Sequence, residues 1–473
     1  MVFSSPIFLF GFLPIILLLS LLMGRSAQNG VLLAASLLFY AWGEPVFVFL
    51  LLLSIGVNFA VARTFSSSAV RRAYLLGAGV GFNLLLLTFF KYGGFLLENT
   101  AGLFGGNGEW SSSLVERWPE LPIGISFYTF QAISYLVDVY RGHCRPQRSL
   151  LDLGLYISMF PQLIAGPIVR YSEIEDQLAN RKRSLVGFNE GASRFVRGLA
   201  KKVLIADTLA VVADASFGAA PDGLSVSMAW IGLICYAFQL YFDFSGYSDM
   251  AIGMGKMFGF RFPENFDFPY SARSVREFWK RWHMTLSRWF RDYLYIPLGG
   301  NRKSASRVAF NLLIVFALCG LWHGASWGFL VWGLYHGCFL LLERTAWGRL
   351  VSRFPSIVQH GYLIGVVFMG WVFFRTDSLG DAMSYFSLLL GFGSESASTS
   401  LVAMSIEYDA LLALVVAVCF STKYPAVAWE ALSRSKFGPL CQYVGVVTAL
   451  ALLVICMTAV ASSAYSPFLY FRF

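Results

Sequence analysis

A succession of apolar segments constrains this chain more than any other feature. They lie near residues 6–23, 31–41, 46–62, 73–90, 121–139, 151–169, 198–219, 225–244, 307–323, 327–342, 361–374, 408–420 and 443–464. A helix needs about 20 apolar residues to cross the hydrocarbon of a bilayer, and a spanning segment must satisfy its backbone polar groups internally. Some runs reach that length; others are short or broken by Pro and Gly. The reading is an all-α, polytopic membrane protein with roughly eleven crossings plus re-entrant pieces. The charge content agrees. Only 13% of the 473 residues are charged against 57% hydrophobic, about half the charged share of soluble domains. A soluble fold of this length could not hide so much apolar surface.

The net charge of +9 does not point to nucleic acid, because the basic residues fall between apolar segments. Arg63, Arg71 and Arg72 form one cluster. Arg181, Lys182, Arg183, Arg194, Arg197, Lys201 and Lys202 form a second, and Lys280, Arg281, Arg288, Arg291, Arg302 and Lys303 a third. The positive-inside rule places these clusters on the cytoplasmic side, near anionic headgroups. The seven cysteines are scattered and show no zinc spacing, so they read as small buried side chains and no metal is expected. The first residues, MVFSSPIFLFGFLPIILLLSLLMGR, carry no basic leader or small-residue cleavage site and read as a retained span. Residues 97–120, polar and Gly/Ser-rich, read as an extracytoplasmic loop. In FPQLIAGPIVR (160–170) Pro161, Gly166 and Pro167 interrupt an apolar run. Broken backbone at membrane depth must line an interior, unless this is a plain interhelical loop.

Three stretches concentrate polar chemistry. In REFWKRWHMTLSRWFRDYLYIPLGGNRK (276–303), helical spacing puts Phe278, Trp282, Leu286, Trp289 and Tyr293 on one stripe, with Lys280, Arg281, Arg288 and Arg291 opposite. This predicts one amphipathic helix at the membrane interface, its basic face either merely solvated or set near anionic phosphates. LWHGASWGFLVWGLYHG (321–337) carries His323 and His336 inside an apolar run. One unbroken helix would separate them by about 20 Å and about 220°, so at most one of them is expected at any single centre. Ionisable residues within spans are costly and are functional candidates. Gly320, Gly324 and Gly328, then Gly333 and Gly337, repeat at intervals of four, which favours close helix approach. QLYFDFSGYSDMAIGMGKMFGFRFPENFDFPY (239–270) sets Asp243, Ser245, Ser248 and Asp249 after an apolar span, suggesting a wet cavity. Its GMGKMFG is not a phosphate loop. His143 and His360 fall in predicted loops and are assigned nothing. The residues alone fit an enzyme or a transporter.

These stretches, together with SLLFYAWGEP, LPIGISFYTFQAISYLVDVYRG, FPQLIAGPIVR, KKVLIADTLAVVAD and the terminal SPFLYFRF, resemble the membrane-bound O-acyltransferase family. The likeness is nearest to its bacterial branch that O-acetylates exopolysaccharides. It implies one transmembrane domain over residues 1–473, most family-like across about 120–340. It also implies a helical ring around a funnel or tunnel in a bacterial inner membrane. The family's recurrent histidine matches His323 in the WHG element, and its second polar position, His or Asn, matches His283 in RWHMTLS. The implied chemistry is acetyl transfer. Neutral His323 acts as base or transient acetyl carrier, and His283 orients it or stabilises the oxyanion. Donor and substrate contacts are expected from Lys280, Arg281, Arg288, Arg291, Trp282, Trp322, Gln239, Asp243, Ser245 and Tyr247. Acetyl-CoA would be the donor, with no tightly bound cofactor. The resemblance also implies an extracytoplasmic SGNH-type transferase or another polysaccharide-modifying subunit as partner, in addition to membrane lipid. The acceptor would be alginate or cellulose. D-Alanyl transfer to teichoic acid, and transport of an acyl donor without chemistry, are the rivals.

Overall fold

The computed structural model describes residues 2–65, 68–103, 115–219, 224–392 and 406–462. The terminal SPFLYFRF and residues 104–114 of the expected loop lie outside them. The front of that loop is helical instead, since residues 97–103 belong to Gly93–Leu103. Among the described residues the chain is helical and forms no strand.

Among the described residues, five helices are long and apolar enough to cross a membrane: Ala69–Thr100, Val226–Met257, Ala305–His323, Ser356–Arg375 and Gly438–Ser462. Tyr408–Phe420 and Tyr424–Ser433 would make a sixth crossing, bent by 68°. Ile7–Leu22, Val48–Arg63 and Trp327–Leu342 are apolar but shorter. Gly438–Ser462 leaves Leu440, Val446, Val447, Leu450 and Val454 exposed, apolar surface suited to contact with lipid. His360, expected in a loop, stands in the helix Ser356–Arg375, where its Nδ1 is 3.1 Å from the Ala272 carbonyl.

The chain divides into two compact units, residues 1–192 with 251–263, and residues 193–250 with 264–473. In the first unit, helices with no distinct polar face are registered by isolated polar residues. Asn58 on Val48–Arg63 and Asn83 on Ala69–Leu87 exchange amide hydrogen bonds of 3.2 and 2.8 Å, and both are buried. In apolar surroundings a mispaired amide costs more than a displaced leucine, so the pair selects the face. The broken segment at 160–170 is interior, as expected for irregular backbone at depth: residues 160–169 are buried. Side chains satisfy part of it. Gln162 donates to the Tyr156 carbonyl at 2.6 Å, and the Tyr156 hydroxyl donates to the Val169 carbonyl at 3.0 Å. Phe8, Phe12, Phe39 and Phe160 pack with ring centroids 5.3–6.2 Å apart.

In the second unit the acidic cluster that suggested a wet cavity is neutralised by the second basic cluster. Lys202 Nζ lies 2.6 Å from Asp207 and 2.8 Å from Asp243. Asp249 is shared by Arg194 at 2.8 Å and Lys201 at 2.6 Å, and Arg194 also pairs with Glu264. The Lys202 and Asp243 side chains are 2% and 3% exposed. Removing one partner of such a pair leaves an uncompensated buried charge, at about 3–5 kcal/mol. Lys202→Met is therefore expected to lower the thermal midpoint in detergent sharply. Adding Asp243→Asn to Lys202→Met should recover part of the loss, because it removes one orphaned carboxylate.

Candidate active site

The stretch 276–303 contains the expected buried stripe but not the expected single helix. Val275–Arg281 and Met284–Phe290 are separate helices, followed by a π turn at Arg291–Tyr295. Trp282 is extended and His283 sits in the left-handed region at φ 42°, ψ 55°. Phe278, Trp282, Leu286 and Trp289 are still buried, while Tyr293 is half-buried. The break is held from outside the stretch, by the ENFDFP loop at 264–269. The Asn265 carbonyl accepts from Met284 N at 2.9 Å, and its side-chain Oδ1 accepts from Thr285 N at 3.3 Å and Thr285 Oγ1 at 2.9 Å. Asp267 N donates to the Arg281 carbonyl at 3.0 Å. Backbone groups that a continuous helix would satisfy internally are thus satisfied from outside. A non-glycine residue in the left-handed region costs roughly 1–2 kcal/mol, and such strain concentrates at functional sites.

The first of these helices is held from a distance. The Glu343 carboxylate accepts from Val275 N at 2.6 Å and Arg276 N at 3.1 Å, and Ser274 Oγ accepts from Glu277 N at 3.1 Å. Both complement an N-terminus whose amides lack helical partners.

The 321–337 stretch is also not one helix. Ala305–His323 ends at its histidine, Gly324 is extended, and Ser326 caps Trp327–Leu342 by accepting from Phe329 N at 3.4 Å. The two helices fold back as a hairpin whose glycines meet. A Cβ on Gly320 would lie 2.1 Å from the Phe329 carbonyl oxygen, and one on Gly333 2.2 Å from the Phe316 carbonyl oxygen. The separation computed for an unbroken helix therefore does not apply. His323 and His336 each pack edge-on with Trp332, with ring centroids 5.1 and 5.3 Å from it.

His283 and His323 line one cavity of about 230 Å³, together with Trp282, Lys280 and Arg291. His283 rests against Phe244 and Trp322, at 4.7 and 6.0 Å, and His323 against Trp322 at 5.0 Å. Burial pushes the His283 imidazole down to about 3, so it is neutral near pH 7. His336 does not line this cavity. It is fully buried among Trp279, Trp332, Tyr335 and Trp371.

Several expected contacts fall elsewhere. Arg281 is bound by Glu277 at 2.7 Å and Asp267 at 3.8 Å. Arg288 is not on the cavity wall, and Trp322 backs the two histidines without lining it. Gln239, Asp243, Ser245 and Tyr247 are buried on Val226–Met257 away from the cavity, with Asp243 held by Lys202. The cavity instead recruits Arg276, Arg344 and Cys319. Arg276 and Cys319 were readable from spacing, since each lies four residues before an expected wall residue, Lys280 and His323. Arg344, just beyond its helix, had no such signal. Among the described residues no group of three or more His, Cys, Asp or Glu could hold a metal ion.

The comparisons with known proteins agree with this architecture. Residues 143–379 match the model of MBOAT, the membrane-bound O-acyltransferase family. The probable alginate O-acetylase of Pseudomonas putida is 40% identical over the whole of both chains. The peptidoglycan O-acetyltransferase of Helicobacter pylori is 38% identical over 84% of this chain and 81% of its own. The teichoic acid D-alanyltransferase of Bacillus subtilis is 29% identical over 50% of this chain and 62% of its own. A multi-pass helical chain with this match belongs to the membrane-bound O-acyltransferase family and is an O-acetyltransferase enzyme.

Proposed function

We propose that this enzyme takes an acetyl group from cytoplasmic acetyl-CoA and passes it across a bacterial inner membrane for O-acetylation of an extracytoplasmic polysaccharide. Alginate is the leading acceptor and cellulose the next. The single observation that carries this reading is the cavity: His323 and His283 share it with Arg276, Lys280, Arg291 and Arg344. The cations suit the phosphates of a CoA donor, and an imidazole on the cavity wall suits proton transfer. In the proposed step His323 takes the proton of an attacking hydroxyl as its oxygen bonds to the thioester carbonyl carbon. The tetrahedral intermediate collapses, the C–S bond breaks, and the departing thiolate recovers the proton from the imidazolium, releasing CoA thiol and the acetyl ester. The hydroxyl belongs either to the polysaccharide or to a serine of an SGNH-type partner that delivers the group. An alternative route places the acetyl briefly on the His323 ring. The whole chain is proposed to act as one transmembrane domain, since its alignment with the Pseudomonas putida relative runs end to end.

D-Alanyl transfer is the second reading, supported by relatives that match only half of this chain. Purified protein in liposomes tests the assignment. Acetyl-CoA should yield free CoA thiol in the presence of an acceptor, whereas a transporter would move the donor intact. A D-alanyl enzyme would leave acetyl-CoA untouched.

The cationic wall makes a further prediction. Arg276→Ala combined with Lys280→Ala should raise KM for acetyl-CoA by about tenfold, the equivalent of about 1.4 kcal/mol, with kcat held. Phosphate contacts bind ground and transition states alike. A matching loss in kcat would move these residues from donor binding to chemistry.

A further inference from the structure

We propose that Asn265 is a positioning residue of this site. It holds His283 in the tautomer protonated on Nδ1, so the ring offers the cavity a hydrogen-bond acceptor at Nε2 rather than a donor. The proposal rests on the acyl-transfer reading above for its role in turnover, but not for the tautomer itself.

The assignment follows from one unambiguous donor. An asparagine amide can face a neighbour with oxygen or nitrogen, and either ring nitrogen of a neutral histidine can carry the proton. The backbone N–H of Thr285 can only donate, and it points at the Asn265 side chain from 3.3 Å. The atom it meets must be the carbonyl oxygen. The amide nitrogen then faces Ser248 Oγ, 3.0 Å away, which accepts. The same Asn265 oxygen lies 3.1 Å from His283 Nδ1. An amide oxygen has only lone pairs to offer, so Nδ1 bonds to it only as N–H. A neutral imidazole has one N–H, and Nε2 is left with its lone pair.

The arrangement is over-determined. Asn265 is 1% exposed, so water does not readily substitute for it. Its backbone carbonyl pins Met284 N, the residue after the left-handed His283. Phe244 and Trp322 pack against the ring, at 4.7 and 6.0 Å. The consequence alters the expected role. Stabilising an oxyanion requires a donor on the cavity side, which neutral His283 in this tautomer does not supply. It accepts instead, from an O–H or N–H of the acceptor other than the attacking hydroxyl, whose one proton goes to His323, and so orients the acceptor.

The test uses full-length protein with ¹⁵N-labelled histidine in detergent micelles. The chain has five histidines, and a His283→Asn difference spectrum identifies the ring, since Asn tolerates the left-handed backbone. The expected signals are a protonated Nδ1 and a bare Nε2. Asn265→Asp keeps the acceptor oxygen and should keep both the tautomer and kcat within about tenfold of wild type. Asn265→Leu removes the acceptor and should mix the tautomers. It should also lower kcat by about 10–100-fold, the usual cost of losing a group that orients a functional imidazole, with KM for acetyl-CoA little changed. A wild-type ring protonated on Nε2 overturns the proposal. So does an Asn265→Leu variant whose kcat per folded molecule and ring signals match wild type, the outcome of a purely structural role. Should Asn265→Leu fail to fold, Asn265→Asp decides: loss of the Nδ1–H signal there also overturns it. Because the tautomer is read without turnover, failure of the acyl-transfer reading shows separately, as an active His323→Ala enzyme.

Discussion

His323→Ala is expected to lower acetyl transfer by about 10²–10⁴-fold, the usual worth of a positioned general base, while the protein still inserts and folds. The ring ends its helix and packs against Trp322, Trp332 and Phe374, so truncation removes ring packing at the helix end, and thermal melting reads that loss separately from chemistry. The informative comparison is His336→Ala. That imidazole is equally apolar in its surroundings and as deeply buried, but it lies off the cavity wall. It should cost far less in transfer than His323→Ala, and any loss should track the amount of folded protein. CoA thiol release per folded molecule, with thermal melting in detergent as control, separates the two. Equal catalytic losses at the two positions would undo the choice between them. Full activity in His323→Ala would remove the chemical role of the site altogether.

The second large effect is structural. Gly333→Leu and Gly320→Val should each destabilise the 305–342 hairpin by about 3 kcal/mol or more, at or above the upper end of overpacking costs. The atoms a side chain would strike are backbone carbonyls, 2.1 and 2.2 Å from the new Cβ, with the facing glycine Cα at 3.2–3.3 Å. Backbone cannot swing aside as a side-chain tip can. The helices would have to separate, and His323 with its cavity would shift with them. Activity should therefore fall together with the melting temperature. Gly365→Ala is the matched control. Nothing lies within 4 Å of the Cβ it would add on Ser356–Arg375, and alanine is the better helix former by about 1 kcal/mol. A hairpin variant that melts like wild type would mean that the two helices do not pack through these glycines.

Much of the site was legible because its signals are local. Gly320 and Gly333 face each other across the hairpin, as small residues suit close helix approach, although the run 320–324–328 is broken at the extended Gly324 and spans two helices. The buried stripe Phe278, Trp282, Leu286 and Trp289 was carried by spacing. The spacing misled where a distant residue intervened. Nothing within 276–303 announces a break at His283, because the group that supplies it, Asn265, is 18 residues away and acts by capturing donors that helix periodicity assumes are used internally. The acidic run Asp243–Asp249 failed for a related reason. A carboxylate beside a span reads as wet until its counterion is known, and Lys202 is 41 residues before Asp243 in the chain (243 − 202).

From the sequence alone came the helical, membrane-crossing class, the family, and the two histidines worth testing. The class depends on composition and segment length, which survive without coordinates because the hydrophobic requirement of a bilayer acts on each segment separately; the family and the choice of His323 and His283 rest on the resemblance of the motifs. Only the tertiary structure decided which cations face the cavity, that His323 and His336 sit on two helices rather than one, and how His283 is held. The cations at the cavity and the hold on His283 are competitions between partners far apart in the chain for the same buried hydrogen bond or charge, while the break at Gly324 lets Gly320 and Gly333 meet across the hairpin. Such contests are settled by three-dimensional proximity, which no local pattern encodes.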